Sequence, residues 1–138
     1  MKRLKGLGGL SMDAKVLQKL LNEYDPTLNI ESIDDDMLII NPNEYLTLYA
    51  AEANDMLELN GSGVHWHMET EEMARFIIDI LKGNSIVIET RSIFVKVIDI
   101  PSRYKVLSKE EYEKIKHRYV GKKRVRIYSG NSIIQRAD

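Results

Sequence analysis

Residues 55–69 read DMLELNGSGVHWHME, and the way they pair decides the fold. Apolar and polar residues alternate on both sides of Gly-Ser-Gly, the period of a half-buried strand. Gly61-Ser62 suits a two-residue type II′ turn, because glycine supplies the positive φ that this turn needs first. Such a turn sets Leu59 opposite Val64, Glu58 opposite His65, Leu57 opposite Trp66 and Met56 opposite His67. Paired residues share a side of the sheet. Leu57, Leu59, Val64 and Trp66 then form a core face, with Trp66 as its anchor. Glu58, His65, His67 and Glu69 form the other. A three-residue loop would set the histidines against Leu57 and Leu59, since a one-residue slip flips every side chain. The even loop is therefore favoured.

Upstream, residues 11–24 place Val16, Leu17, Leu20 and Leu21 at helical spacing, with Ser11 as the expected N-cap. Asp25-Pro26 ends this helix, because a residue before proline avoids the α region. Residues 28–33 alternate as a strand, Asp34-Asp35-Asp36 make a turn, and residues 37–41 read as a short buried strand. A second turn is expected at Asn41-Pro42-Asn43. Residues 44–50 then set Tyr45, Thr47 and Tyr49 against Leu46, Leu48 and Ala50. This is a strand pattern, with a helix begun at Pro42 as the alternative.

Downstream, Thr70 is the expected cap of a helix whose stripe is Met73, Phe76, Ile77, Ile80 and Leu81, stopped by Gly83. Residues 85–90 and 92–100 are β-branched runs around Arg91 and suggest a second hairpin ended by Pro101. Ser108 and Glu111 make a capping box for a helix that Gly121 closes. Residues 123–128, read as the last strand, put Arg124, Arg126 and Tyr128 on one face and Val125 and Ile127 on the other. The order is that of an α+β fold, an antiparallel sheet of meander plus hairpin covered by about three helices.

The chain has 138 residues, 43% hydrophobic and 30% charged, which fits one domain over residues 11–138 behind a tail of residues 1–10. A purine-rich codon pair at Gly8-Gly9 would make Met12 the alternative start. With no cysteine, disulfides, thiolate metal sites and cysteine nucleophiles drop out together, and a reducing, cytoplasmic setting suits the chain. Abundant Ile, Lys and Asn with 3 Pro suggest AT-rich coding and a bacterial source. No apolar run approaches a membrane span.

Charge is uneven along the chain. Residues 1–100 hold 9 Lys+Arg against 17 Asp+Glu, a net of −8, and residues 101–138 hold 11 against 4, a net of +7. The balance argues against a dedicated nucleic-acid binder, although the basic end keeps RNA as an alternative.

Catalytic signatures are lacking. The sequence has no GxSxG, HExxH, P-loop or GxGxxG, and residues 6–9 (GLGG) have neither the strand before nor the Lys-Ser/Thr after that a phosphate cradle needs. The acidic triplet at 34–36 lacks the alternating ligands and closing Glu of an EF-hand. His65 and His67, with Glu58 opposite, are candidate metal ligands, and Zn is the candidate ion. The plainer reading makes them polar residues on a wet face. His117 joins them only if the fold brings it there. The basic stretch holds Lys114, Lys116, His117, Arg118, Lys122, Lys123, Arg124 and Arg126 near Tyr112, Tyr119 and Tyr128. Phosphate neutralisation with base stacking is one use. A solvated helix face and an edge strand guarded by cations is the other. The expectation is a non-catalytic, cofactor-free domain, accessory or immunity-like, that binds another protein through segregated charge. Its partner-contacting residues are expected to be Lys122, Lys123, Arg124, Arg126 and Tyr128. A metal-dependent enzyme using His65 and His67, and an RNA-binding module, are the alternatives. Unpaired strand edges leave association with a second copy open.

Overall fold

The computed structural model describes residues 11–91, 103–130 and 132–136. They divide into two compact units between Ile78 and Asp79, within a helix. The architecture is α+β, with two antiparallel sheets and three helices among the described residues.

In the first unit a helix, α1 (Ala14–Tyr24), precedes a five-stranded meander. Its strands are β1 (Asn29–Ile33), β2 (Met37–Asn43), β3 (Leu46–Ala51), β4 (Met56–Leu59) and β5 (His65–His67), paired in chain order. Leu38, Ile40, Leu46, Leu48, Ala50, Leu57 and Leu59 are buried on one face, as the period-2 pattern requires. The strand reading of residues 44–50 holds, with Leu46, Leu48 and Ala50 inside. Leu17 and Leu21 of α1 are buried, and α1 lies against β2.

The cap of α1 is Asp13, not Ser11. The Asp13 carboxylate accepts from Lys15 N and Val16 N, and Glu52 takes the next free amide, Ala14 N, at 3.1 Å. The turn expected at 41–43 lies instead at Glu44-Tyr45, with Asn43 paired to Leu46. Pro42 sits where the β2–β3 register shifts, a place where its missing N–H breaks no ladder bond.

The β4–β5 register is the expected one: Glu58 faces His65, Leu57 faces Trp66 and Met56 faces His67. The turn differs. Asn60 and Gly61 both have positive φ, 54° and 66°, and Ser62 N donates to Leu59 O at 3.0 Å. This is the type I′ pattern at Asn-Gly, inside a four-residue connection. Loops of two and four residues have the same parity, so the faces are unchanged. Asn60 also holds β3, with its Oδ1 accepting from Thr47 N at 2.6 Å and its Nδ2 donating to Tyr45 O at 2.9 Å. Trp66 is half-buried because β5 is the edge strand. Its ring lies 4.9 Å from that of Phe76.

Helix α2 (Thr70–Lys82) follows. Glu69, not Thr70, caps it, for Glu72 N donates to Glu69 Oε1 at 2.6 Å. The Thr70 hydroxyl is occupied elsewhere, accepting from Asp13 N at 2.8 Å. The stop at Gly83 is as expected. Gly83 N reaches Ile80 O and Asn84 N reaches Asp79 O, the two bonds of a Schellman ending.

The second unit contains β6 (Ser85–Thr90), β7 (Arg103–Ser108), α3 (Lys109–Ile115), β8 (Val125–Ser129) and β9 (Ser132–Gln135), with sheet order β7-β6-β8-β9. The strand expected at 92–100 and the tail at 1–10 lie outside the described residues. β7 and β9 are additions to the sequence reading. With β9 on one side and β6 on the other, β8 is an interior strand rather than a guarded edge. The Ser108–Glu111 capping box is present. The helix ends at Ile115, short of Gly121, and a 3-10 turn over Lys116–Arg118 follows. Tyr112 is buried with Ile86, Ile88, Leu107, Val125 and Ile127 in one apolar cluster, and Ile115 and Tyr119 pack on its margin.

Candidate functional site: a cationic sheet end

Antiparallel pairing brings several cations of the second unit to one end of its sheet. Thr90, the last residue of β6, pairs with Arg103, the first of β7, and with Val125, the first of β8. Arg91 N donates to Arg124 O at 2.9 Å just beyond. The backbones of Arg91, Arg103 and Arg124 are therefore brought to one end of the sheet, with Lys105 on β7 and Lys122 and Lys123 on the turn into β8. An open cavity of about 210 Å³ lies here, lined by Ile88, Thr90, Arg103, Tyr104, Lys105 and Tyr119.

Gln135 holds the turn that carries three of these cations. Its Nε2 donates to Val125 O at 2.8 Å and approaches Tyr119 O and Lys122 O at 3.2 and 3.3 Å. Its Oε1 accepts from Gly121 N at 2.9 Å. One β9 amide thus fixes the backbone on both sides of Lys122-Lys123-Arg124. It is a positioning residue for that turn.

Of the residues expected to contact a partner, Lys122, Lys123 and Arg124 are exposed. Arg126 is turned inward, its Nη1 3.1 Å from Glu89 Oε1. Tyr128 is fully buried and is a core residue. Neighbouring cations are partly answered by carboxylates of α3. Lys114 lies 3.6 Å from Glu110 and Lys116 lies 2.8 Å from Glu113. The Glu113 side chain accepts a hydrogen bond from the Lys116 ammonium and raises its pKa above the ordinary 10.5. The sequence reading missed Arg91, Arg103, Tyr104 and Lys105. The alternation of Arg103 and Lys105 with Tyr104 and Val106 was the available signal.

In the first unit His65 and His67 are exposed on β5 and Glu58 is half-buried opposite His65. His65 Nδ1 meets Gly63 O at 2.7 Å, not the Glu58 carboxylate. No group of three or more His, Cys, Asp or Glu side chains able to hold a metal ion exists among the described residues. Nor is any described helix long and apolar enough to cross a membrane.

The unit boundary is also a charge boundary. Residues 1–78 hold 6 Lys+Arg against 14 Asp+Glu, a net of −8, and residues 79–138 hold 14 against 7, a net of +7. Comparison with protein-family models, with curated proteins and with solved structures finds no match.

Proposed function

We propose that the protein is a non-catalytic protein-binding domain that receives an acidic segment of a partner protein at the cationic end of its four-stranded sheet. The observation that carries this reading is the open cavity lined by Arg103, Lys105, Tyr104, Tyr119, Thr90 and Ile88. Arginine and tyrosine are the groups that anchor protein interfaces. The exposed Lys122-Lys123-Arg124 turn extends the positive field and steers an acidic partner. The chemistry of this surface is recognition by charge and stacking.

RNA offers the same negative charge. The net −8 on residues 1–78 weighs against it, because a long phosphate backbone meets the field of the whole chain and a short acidic segment does not. The test is affinity capture from nuclease-treated extract of the source organism at physiological salt. Wild type is compared with a variant carrying Gln at positions 122, 123 and 124. A protein retained by wild type and lost by the variant is the expected result. Equal retention by both, or retention that depends on omitting nuclease, contradicts the proposal.

A further inference from the structure

Two imidazoles on β5 take no part in the partner-binding reading. His65 and His67 are separated by one residue on a strand, so they project from the same side of the sheet. Their ring centroids are 5.2 Å apart with the planes at 85°. Each ring is tethered by a backbone carbonyl: His65 Nδ1 to Gly63 O at 2.7 Å, and His67 Nδ1 to Asn54 O at 2.8 Å.

A carbonyl oxygen only accepts hydrogen bonds, so each Nδ1 carries a proton. In the neutral ring the lone pair then sits on Nε2. This is the arrangement that orients metal-ligating histidines, with Nδ1–H on a carbonyl and Nε2 left for the ion. The tethers are of different kinds. One closes a local loop within the hairpin, and the other reaches across from β5 to the short turn ahead of β4. Two rings are thus fixed independently and brought together. The spacing fits the chemistry. With Zn–N bonds of about 2.0–2.1 Å and tetrahedral angles, two ligating imidazoles place their centroids about 5 Å apart.

We propose that His65 and His67 form a two-histidine chelate for a divalent late first-row transition-metal ion, bound through their Nε2 atoms. Glu58 lies in register with His65 but does not complete a three-ligand cluster. Water fills the remaining positions. Imidazole ligands select zinc, nickel and copper ions over magnesium and calcium, which prefer oxygen. His117, exposed on the 3-10 turn of the second unit, serves as the internal control.

The experiment uses the untagged full chain, isotopically labelled, with the imidazole nitrogens followed by NMR during titration with Zn²⁺. The Nε2 resonances of His65 and His67 should shift together and saturate at one equivalent, before His117 moves. Mg²⁺ in excess should leave all three in place. His65→Gln and His67→Gln should each weaken Zn²⁺ binding about tenfold or more, a loss at least as large as that of a supporting partner. Both side chains are exposed, and the thermal midpoint of each variant confirms that the fold is retained. Shifts at His117 that parallel those of the pair would overturn the proposal. So would a single variant that binds Zn²⁺ as tightly as wild type.

Discussion

In the five-stranded sheet the Glu58 carboxylate faces exposed His65 across an edge hairpin and makes no ion pair with it. In the four-stranded sheet the Glu89 side chain is 7% exposed and takes Arg126 at 3.1 Å. Both carboxylates come from strands of alternating or β-branched sequence. They differ in the strand's place. Beside the β5 edge, one face of β4 reaches water and charges remain solvated. β6 and β8 are neighbours inside the second sheet, and a charge on them must bring its partner with it.

A large effect is expected at that pair. Glu89→Ala should cost about 3 kcal/mol, the low end for breaking a buried pair, because it removes the buried carboxylate that the partly buried Arg126 guanidinium meets. Glu58→Ala should cost no more than about 0.5 kcal/mol, as surface changes do. Urea denaturation of the two variants decides this, and equal costs would erase the distinction between the sheets. A parallel contrast separates the two large aromatics. Tyr128 is fully buried, and Tyr128→Ala should cost about 3–5 kcal/mol. Half-buried Trp66, which keeps its contact with Phe76, should cost about 2 kcal/mol as alanine, since less apolar area is returned to water. A Trp66→Ala loss as large as that of Tyr128→Ala would place the edge strand deeper than described.

Two glycines sharpen the comparison further. A Cβ at Gly130 would stand 2.6 Å from Leu81 O and 3.0 Å from Ile80 O, both backbone atoms. A Cβ at Gly61 would meet nothing within 4 Å, though φ there is +66°. Gly61→Ala should therefore cost only the left-handed strain of about 1–2 kcal/mol. Gly130→Ala should cost more, about 2–3 kcal/mol, with strain and backbone collision together. Thermal denaturation ranks them.

The smallest effect is a pH slope. Burial raises the Tyr112 phenol above its ordinary 10.0, with Lys116 opposing and Glu113 adding. The unfolded chain releases this proton first. The contribution is thus complete below pH 10 and is lost as pH climbs through the raised folded value. Tyr112→Phe should flatten the decline in stability above pH 10, measured by urea midpoints across alkaline pH. An unchanged slope would show that Tyr112 ionises as freely in the fold as out of it.

The same contrast explains what was legible in the sequence. The β4–β5 register could be read because its alternation is strict and any even loop gives the same faces. The turn inside it was misplaced by one residue, although Asn60-Gly61 carries the stronger hairpin signal. Helix caps were displaced where two oxygen-bearing residues compete, Ser11 with Asp13 and Glu69 with Thr70. Tertiary bonds to Thr70 made that choice, and no local pattern records them. The second sheet was harder. Val125 to Ser129 reads as an alternating strand with a cationic face, and its place between β6 and β9, which makes it interior to the sheet, is set by long-range pairing. Hence Lys122, Lys123 and Arg124, which precede the strand, were legible as surface cations. Arg126 and Tyr128, inside it, were misleading. Arg103 and Lys105 join the site through pairing with β6, which sequence spacing does not show.

The cationic sheet end is proposed as a surface for acidic protein rather than for RNA. Fluorescence anisotropy at physiological salt tests it, with a labelled glutamate-rich peptide and a labelled single-stranded RNA titrated against wild type and against the Lys122, Lys123 and Arg124→Gln variant. Peptide binding that the variant loses, with negligible RNA binding by either protein, is the expected result. Micromolar RNA binding that disappears in the variant, with no peptide binding by wild type, would contradict it.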